Sequence, residues 1–147
     1  MAFELTSERK EFLKSNYSYG FITFCGFEAV NVAPGQLESR VTIGENHRQQ
    51  DGFIHAGVMA TMADHTAGYA AYTLIPEDHR ILTVEFKINF LRPAYGQALV
   101  CRAQVIKPGR KILICEAAVY DQRPEGEVMT AKVLATMAAV PVKDLRR

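Results

Sequence analysis

The sequence predicts an α+β fold in which an antiparallel sheet packs against one long helix. Two patterns predict it: six segments have β-strand character, and residues 56–74 alone form a long segment with helical spacing of apolar side chains. One long helix supplies too few crossover connections for a doubly wound parallel sheet, so the strands are expected to pair antiparallel. The chain of 147 residues, 48% of them hydrophobic, fits one domain spanning residues 1–147.

The first elements are a short helix and a pair of strands. Residues 7–15 follow candidate N-cap residues, carry acidic side chains in the first turns and have an apolar edge, which predicts a helix. Residues 24–32 and 37–43 are rich in β-branched and aromatic side chains, and Pro34-Gly35 between them is typical of a turn. We therefore expect a hairpin.

The central helix is predicted over residues 56–74. At 100° per residue its side chains fall on three faces, and none of them is broad and charged. One face consists almost entirely of small residues and includes Asp64. A helix without a broad charged face is expected to be wrapped by the rest of the structure.

Four strands are predicted after the central helix. In residues 82–90 apolar and polar side chains alternate, so that Leu82, Val84, Phe86, Ile88 and Phe90 are expected on one side and Thr83 on the other. Residues 99–105, 111–120 and 128–140 complete the set, with a tight turn at 107–110 and a looser one at 121–127. Such a sheet leaves a face or an edge uncovered, which predicts a homo-oligomer.

Composition excludes several classes of function. The formal net charge of +1 is too balanced for a protein that coats nucleic acid or an acidic membrane. The first ten residues lack the apolar run of a signal peptide, and no segment is apolar enough to span a bilayer, so we expect a cytoplasmic protein without membrane association. Cys25, Cys101 and Cys115 are odd in number and widely spaced, which favours reduced, buried thiols.

The entry of the central helix is the candidate site. His55 stands directly before it, and the backbone amides of Ala56 and Gly57 lie in its first turn, where N–H groups have no partner within the helix. Together with the helix dipole, such amides can stabilise a developing negative charge, as an oxyanion hole does. Asp64, among small residues further along the helix, is expected to be paired or to take part in chemistry.

These residues resemble a known family. Gly52-x-x-His55-Ala56-Gly57-Val58, followed by Ala63-Asp64 and the downstream Thr83-Val84, is similar to the hotdog-fold acyl-CoA thioesterases of the phenylacetic-acid-pathway type. The resemblance implies a six-stranded sheet around one helix, a homodimer or a dimer of dimers, and sites at subunit interfaces. It also implies hydrolysis of aryl-acyl or short- to medium-chain acyl-CoA thioesters without a metal or other cofactor, since coenzyme A is part of the substrate.

The resemblance also implies roles for individual residues. Asp64 would activate water or attack the carbonyl, and Thr83 of the partner subunit would steady the water. The first glycine of the family's His-Gly-Gly falls on Ala56, which keeps the backbone donor but adds a methyl group. Gln49 or its neighbour Gln50 would supply a side-chain amide, and His55 would orient the loop and help to polarise the carbonyl.

Each of these residues has a structural alternative. Asp64 could be a buried carboxylate bonded to Thr61 or His65, His55 could only cap the helix, and Thr83 could be one polar residue of a polar strand face. The four histidines show no close metal-ligand spacing, so no metal is expected.

Three functions remain open from the sequence. The first is an acyl-CoA thioesterase that uses Asp64, and the second is a non-catalytic acyl-CoA binding module, which the Ala56 departure leaves open. A dehydratase is the third, although no glutamate follows His55 along the helix. Arg110 and Lys111, after Pro108-Gly109, are candidates for binding the phosphates of coenzyme A, with an ordinary solvated hairpin as the alternative.

Overall fold

The computed structural model describes residues 4–146 and shows three helices and six strands. The helices are α1 (Ser7–Tyr17), α2 (Phe21–Cys25) and α3 (Ala56–Tyr72). The strands are β1 (Glu28–Ala33), β2 (Gln36–Thr42), β3 (His79–Phe90), β4 (Ala98–Lys107), β5 (Ile112–Arg123) and β6 (Gly126–Pro141). Short 3-10 turns lie at Glu45–His47 and Val142–Leu145.

All six strands form one antiparallel sheet in the order β1-β2-β4-β5-β6-β3, and α3 packs against strands β2 to β6. The predicted α+β class with a six-stranded sheet and a central helix is confirmed. The core lies between α3 and the sheet, where Met62, Leu99, Leu113 and Met137 are fully buried. No helix among residues 4–146 is long and apolar enough to cross a bilayer.

The N-terminal segment differs from the prediction. Helix α1 extends to Tyr17 rather than residue 15, because Leu13 and Tyr17 are fully buried against the core. The predicted strand over 24–32 was wrong in its first part, since α2 includes Phe24 and ends at Gly26. Gly26 has a φ of 78°, a left-handed conformation that glycine adopts without cost, and β1 starts two residues later.

Two further boundaries differ. Helix α3 ends at Tyr72 instead of residue 74, and the hydroxyl of Thr73 then donates to the carbonyl of Ala70 while it accepts from the amide of Gly35. The predicted loose turn at 121–127 was wrong: β5 and β6 continue into it, with Arg123 paired to Gly126.

A bulge in β3 overturns the predicted alternation. The register with β6 shifts between Thr83 and Glu85, so two residues face one on the partner strand. As a result Thr83 and Phe86 both face α3, whereas Leu82 and Val84 point away and are 47% and 58% exposed. The prediction that Leu82 and Val84 share a face with Phe86 was therefore wrong, because a period of two does not continue through a bulge.

Candidate active site at the two ends of an exposed helix face

The loop before α3 is held by a buried histidine that sequence reasoning did not single out. His47 is only 7% exposed, and its Nδ1 accepts the amide of Gly44 at 2.9 Å. Its Nε2 therefore carries the proton and donates to the carbonyl of Cys25 at 2.6 Å. The amide of His55 in turn donates to the carbonyl of His47 at 2.9 Å, so this imidazole fixes the approach to the helix.

His55 is the N-cap of α3. Its Nδ1 accepts the amide of Gly57 at 2.8 Å, which assigns the ring proton to Nε2. The amide of Gly57 is thus occupied, and of the two donors predicted for the oxyanion, only that of Ala56 has no acceptor within residues 4–146. A Cβ at Gly57 would lie 2.9 Å from Nδ1 of His55, so a side chain there would displace the capping ring.

A cavity of about 360 Å³ opens beside this helix entry. Gln49, Phe53, Ala56, Met59 and Phe90 line it, together with residues 91–94. The side-chain amide of Gln49 donates to Asp51, and its backbone amide donates to the carbonyl of Phe53 at 2.8 Å. Gln49 therefore lines the same cavity as Ala56, whereas Gln50 is not among the lining residues.

Asp64 and Thr83 form a pair on the same chain. The Thr83 hydroxyl donates to Oδ1 of Asp64 at 2.7 Å, and Asp64 is half-buried. The expectation that Thr83 approaches from the partner subunit is therefore wrong: the β3 bulge turns it toward α3 of its own chain. A hydroxyl donor on one oxygen orients the carboxylate and leaves its other oxygen available.

Two cavities meet at Asp64. One, of about 340 Å³, lies toward Phe21, Ala60, Thr61 and Phe86; the other, of about 240 Å³, extends along α3 toward Tyr72. His65 borders both. Nε2 of His65 is 2.9 Å from the carbonyl of Tyr17, and burial lowers the pKa of His65, so the ring is neutral and donates this bond.

Buried polar groups fasten α1 to α3 behind Asp64. The Tyr17 hydroxyl bonds to that of Thr66 at 3.0 Å, and Ser39 bonds to the same hydroxyl at 2.8 Å. Burial raises the pKa of Tyr17, and it raises the pKa of the neighbouring Cys101 thiol to about 12. Tyr17 and Cys101 both remain neutral at physiological pH, so this cluster has a structural role and not a chemical one.

The helix entry and Asp64 lie far apart within one chain. Eight residues separate Ala56 from Asp64, which is about 12 Å along the helix axis. An oxyanion donor and a base each need to lie within about 3 Å of the atoms they serve. The residues between them on this face, including Gly57, Ala60 and Thr61, are exposed or half-buried.

The predicted phosphate-binding residues lie elsewhere. Arg110 and Lys111 are exposed in the turn between β4 and β5, and the carbonyl of Lys111 accepts the amide of Ala139. Neither lines the cavities at Asp64 or Ala56 within one chain.

The six-stranded sheet around one central helix, together with the family match that follows, shows a thioester hydrolase with the hotdog fold. Residues 51–127 match the model of the thioesterase superfamily, a span that covers the helix entry, Asp64 and Thr83, and the chain belongs to this family.

Solved structures and curated proteins agree with the family. A thioesterase family protein from Silicibacter pomeroyi is 35% identical and superposes with a TM-score of 0.85 over 88% of this chain and 96% of its own. The fold is shared with a phenylacetic acid degradation-related protein from Ralstonia eutropha, at 21% identity and a TM-score of 0.72 over 80% and 88% of the two chains. A 1,4-dihydroxy-2-naphthoyl-CoA hydrolase from Listeria monocytogenes is 26% identical over 66% of this chain and 79% of its own.

Proposed function

We propose that this protein hydrolyses acyl-CoA thioesters to a free acid and coenzyme A. The observation that carries the proposal is the Asp64 carboxylate, oriented by the hydroxyl of Thr83 and bordered by two cavities. The relative from Listeria monocytogenes is named as a hydrolase of an aryl-acyl-CoA, which supports coenzyme A as the thiol of the substrate. Aryl-acyl and short- to medium-chain acyl groups are the proposed range.

In the proposed mechanism Asp64 acts as the general base. It takes a proton from water, whose oxygen forms a bond to the thioester carbonyl carbon. The carbonyl oxygen becomes negative and accepts hydrogen bonds from the amide of Ala56 and from Nε2–H of His55. Collapse of this intermediate breaks the C–S bond, and the proton held by Asp64 passes to the leaving thiolate.

A direct attack by Asp64 is the variant of this mechanism. The free carboxylate oxygen would form an anhydride with the acyl group and release the thiolate, and water would then cleave the anhydride. Both routes use only the carboxylate, water and helix-entry donors, so we propose that no cofactor or metal takes part.

We propose that each active site combines two subunits. If two α3 helices cross antiparallel about a two-fold axis, Asp64 of each chain faces the helix entry of the other, and the axis passes near Ala60, midway between Ala56 and Asp64. Small, accessible residues on this face allow close approach of the helices. This arrangement brings donor and base together from two chains, whereas within one chain about 12 Å of helix separates them.

The edge strand β3 supports the same dimer. It is 12 residues long and forms one edge of the sheet, with exposed Leu82, Val84 and Phe90. A long, exposed, apolar edge is a template for pairing, so we propose that β3 joins the partner's β3 in a homodimer or a dimer of dimers. We also propose that Arg110 and Lys111, which are exposed in the turn between β4 and β5, bind the phosphates of coenzyme A.

Release of free thiol from a panel of acyl-CoA substrates tests the function. The panel includes phenylacetyl, benzoyl, acetyl and hexanoyl thioesters, with the uncatalysed rate as the baseline. Saturable binding without thiol release would instead support the binding module, which the methyl group of Ala56 keeps as the second candidate.

We place the reaction in the cytoplasm, since the three cysteines of the chain, all unpaired in the structure, suit a reducing compartment.

A further inference from the structure

The smaller cavity beside Asp64 is lined by residues that follow one another along α3, and we refer to it as the slot. Its volume is about 240 Å³, and it begins at Asp64 and Thr83, passes Gly68 and Tyr69, and reaches Tyr72 and Arg80. Asp64 and Tyr72 are eight residues apart on the helix, so the slot is about 12 Å long. One end is therefore at the proposed reactive carboxylate and the other at a guanidinium.

Gly68 is a glycine that the fold of one chain does not require. It lies in the interior of a 17-residue helix, where glycine is less stable than alanine. A Cβ there would meet Ile81 at 3.7 Å and Met137 at 4.0 Å, which are ordinary contacts. Gly68 is already buried, so it is not a contact surface for a partner helix, and it lines the cavity together with Ile81.

Positive charge is concentrated at the far end of the slot. Nη1 of Arg80 donates to the carbonyls of Glu77 and His79, while its Nη2 and Nε have no acceptor within residues 4–146. Arg9 lies 5.1 Å over the ring of Tyr72, and its buried Nη2 also has no partner in the described part of the chain. Neither arginine makes an ion pair with a carboxylate of residues 4–146.

Asn16 adds a further donor to the lining of the slot. The hydroxyl of Tyr69 donates to Oδ1 of Asn16 at 2.8 Å, and this leaves the Asn16 amide group, at the slot, with hydrogens to donate. Two uncompensated guanidinium groups and an amide donor are the groups that recognise a carboxylate.

We propose that the slot binds the acyl group and that Arg80 selects acyl groups ending in a carboxylate, so that the preferred substrates are monothioesters of dicarboxylic acids. This inference rests on the proposed hydrolysis of acyl-CoA thioesters. The thioester carbonyl lies at Asp64, the acyl chain passes Gly68, and the terminal carboxylate lies between Arg80 and Asn16, with Arg9 adding positive potential behind Tyr72.

Adipyl-CoA and hexanoyl-CoA provide the test, because both acyl chains have the same length and differ only in ending in a carboxylate or a methyl group. We expect a higher kcat/KM for adipyl-CoA, and we expect Arg80→Gln to lower it about tenfold, a larger loss than on hexanoyl-CoA. The preference should also decrease with added salt. Arg40→Gln is the matched control, because it removes an equal charge from β2, four strands away from β3.

A second variant tests the slot itself. Gly68→Ala adds one methyl group and should lower kcat/KM more for both six-carbon substrates than for acetyl-CoA, while thermal stability is kept or raised. Equal kcat/KM for adipyl-CoA and hexanoyl-CoA in the parent, or equal losses on both in Arg80→Gln, would overturn the selection of a carboxylate. Six-carbon substrates unaffected by Gly68→Ala would overturn the slot as the acyl site. Failure of the parent to hydrolyse any CoA thioester would instead overturn the proposed function.

Discussion

Replacement of Ala56 by proline removes the proposed oxyanion donor without a change of fold. Ala56 is the first residue of α3, the position at which helices tolerate proline, because its amide has no partner in the helix. The preceding residue must then be extended, and His55 already has φ −61° and ψ 138°. The structure is therefore compatible with proline at this position, and one N–H group is lost.

The expected loss is that of one oxyanion-hole donor. Such donors contribute about 10² to 10³ in kcat, or roughly 2.7 to 4 kcal/mol, so Ala56→Pro should reduce thiol release by this factor. The unfolding free energy should stay within about 1 kcal/mol of the parent, since proline fits the native backbone. Ala56→Gly keeps the amide and is the control. A parental kcat in a folded Ala56→Pro protein would refute the role of this amide.

The same variant tests whether two subunits share each site. A mixture of Ala56→Pro and Asp64→Asn chains forms heterodimers in which one site has Asp64 from the first chain and the intact helix entry from the second. Because half of randomly mixed dimers are heterodimers and each has one intact site of two, refolding the mixture together should restore about a quarter of parental activity. No gain over the separate variants would show that donor and base belong to one chain.

Four further outcomes are expected. Asp64→Asn should lower kcat at least about 10²-fold with the fold retained, because the amide cannot accept the proton; steady-state kinetics measure this, and a near-parental kcat would contradict it. Arg110→Ala should raise KM for all CoA esters with little effect on kcat, an effect that high salt reduces; an unchanged KM would exclude the phosphate contact. Light scattering should give at least twice the 16.4 kDa of one chain, and a monodisperse monomer at micromolar concentration would disprove the dimer. Burial lowers the pKa of His65, so on acidification below the ordinary pKa of 6.5 the unfolded chain binds a proton at His65 before the folded chain does. Urea unfolding should therefore show an unfolding free energy that is complete above pH 6.5 and decreases below it. This decrease should be smaller in His65→Gln.

The overall fold could be predicted because its signals are periodic. Two signals depend only on which side chains face the core: the helical spacing of residues 56–74 and the alternation in the later strands. Burial of that core determines how the sheet packs against the helix. The segment Phe21–Cys25 has β-branched and aromatic residues that favour a strand, yet it forms a helix turn that Gly26 ends. Local propensity in five residues is too weak to resist tertiary context.

The residues of the candidate site stand out in the sequence, but their arrangement could not be predicted from it. His55, Ala56 and Asp64 stand out by type and spacing, whereas the side on which Thr83 lies depends on a bulge that alternation alone does not reveal. His47 was missed as a loop anchor because its partners, Gly44 and the carbonyl of Cys25, are brought together only by the fold. Arg80 and Gly68 show no local pattern, and only the cavity they share distinguishes them.

The alanine at position 56, where the family has a glycine, is explained by the steric requirements of two adjacent positions: only position 57 requires a glycine. Ala56 is half-buried at the first helical position, where alanine is well tolerated and the backbone amide keeps its direction. At Gly57 any Cβ would lie 2.9 Å from Nδ1 of His55 and would break the bond that caps the helix and assigns the imidazole proton to Nε2. Gly57→Ala should therefore lower activity by displacing His55, and Ala56→Gly should leave it near the parental value. In the family's His-Gly-Gly pattern, the first glycine position, here Ala56, thus supplies a backbone donor and tolerates a methyl group. The second glycine position, here Gly57, must leave room for the capping histidine and does not tolerate one.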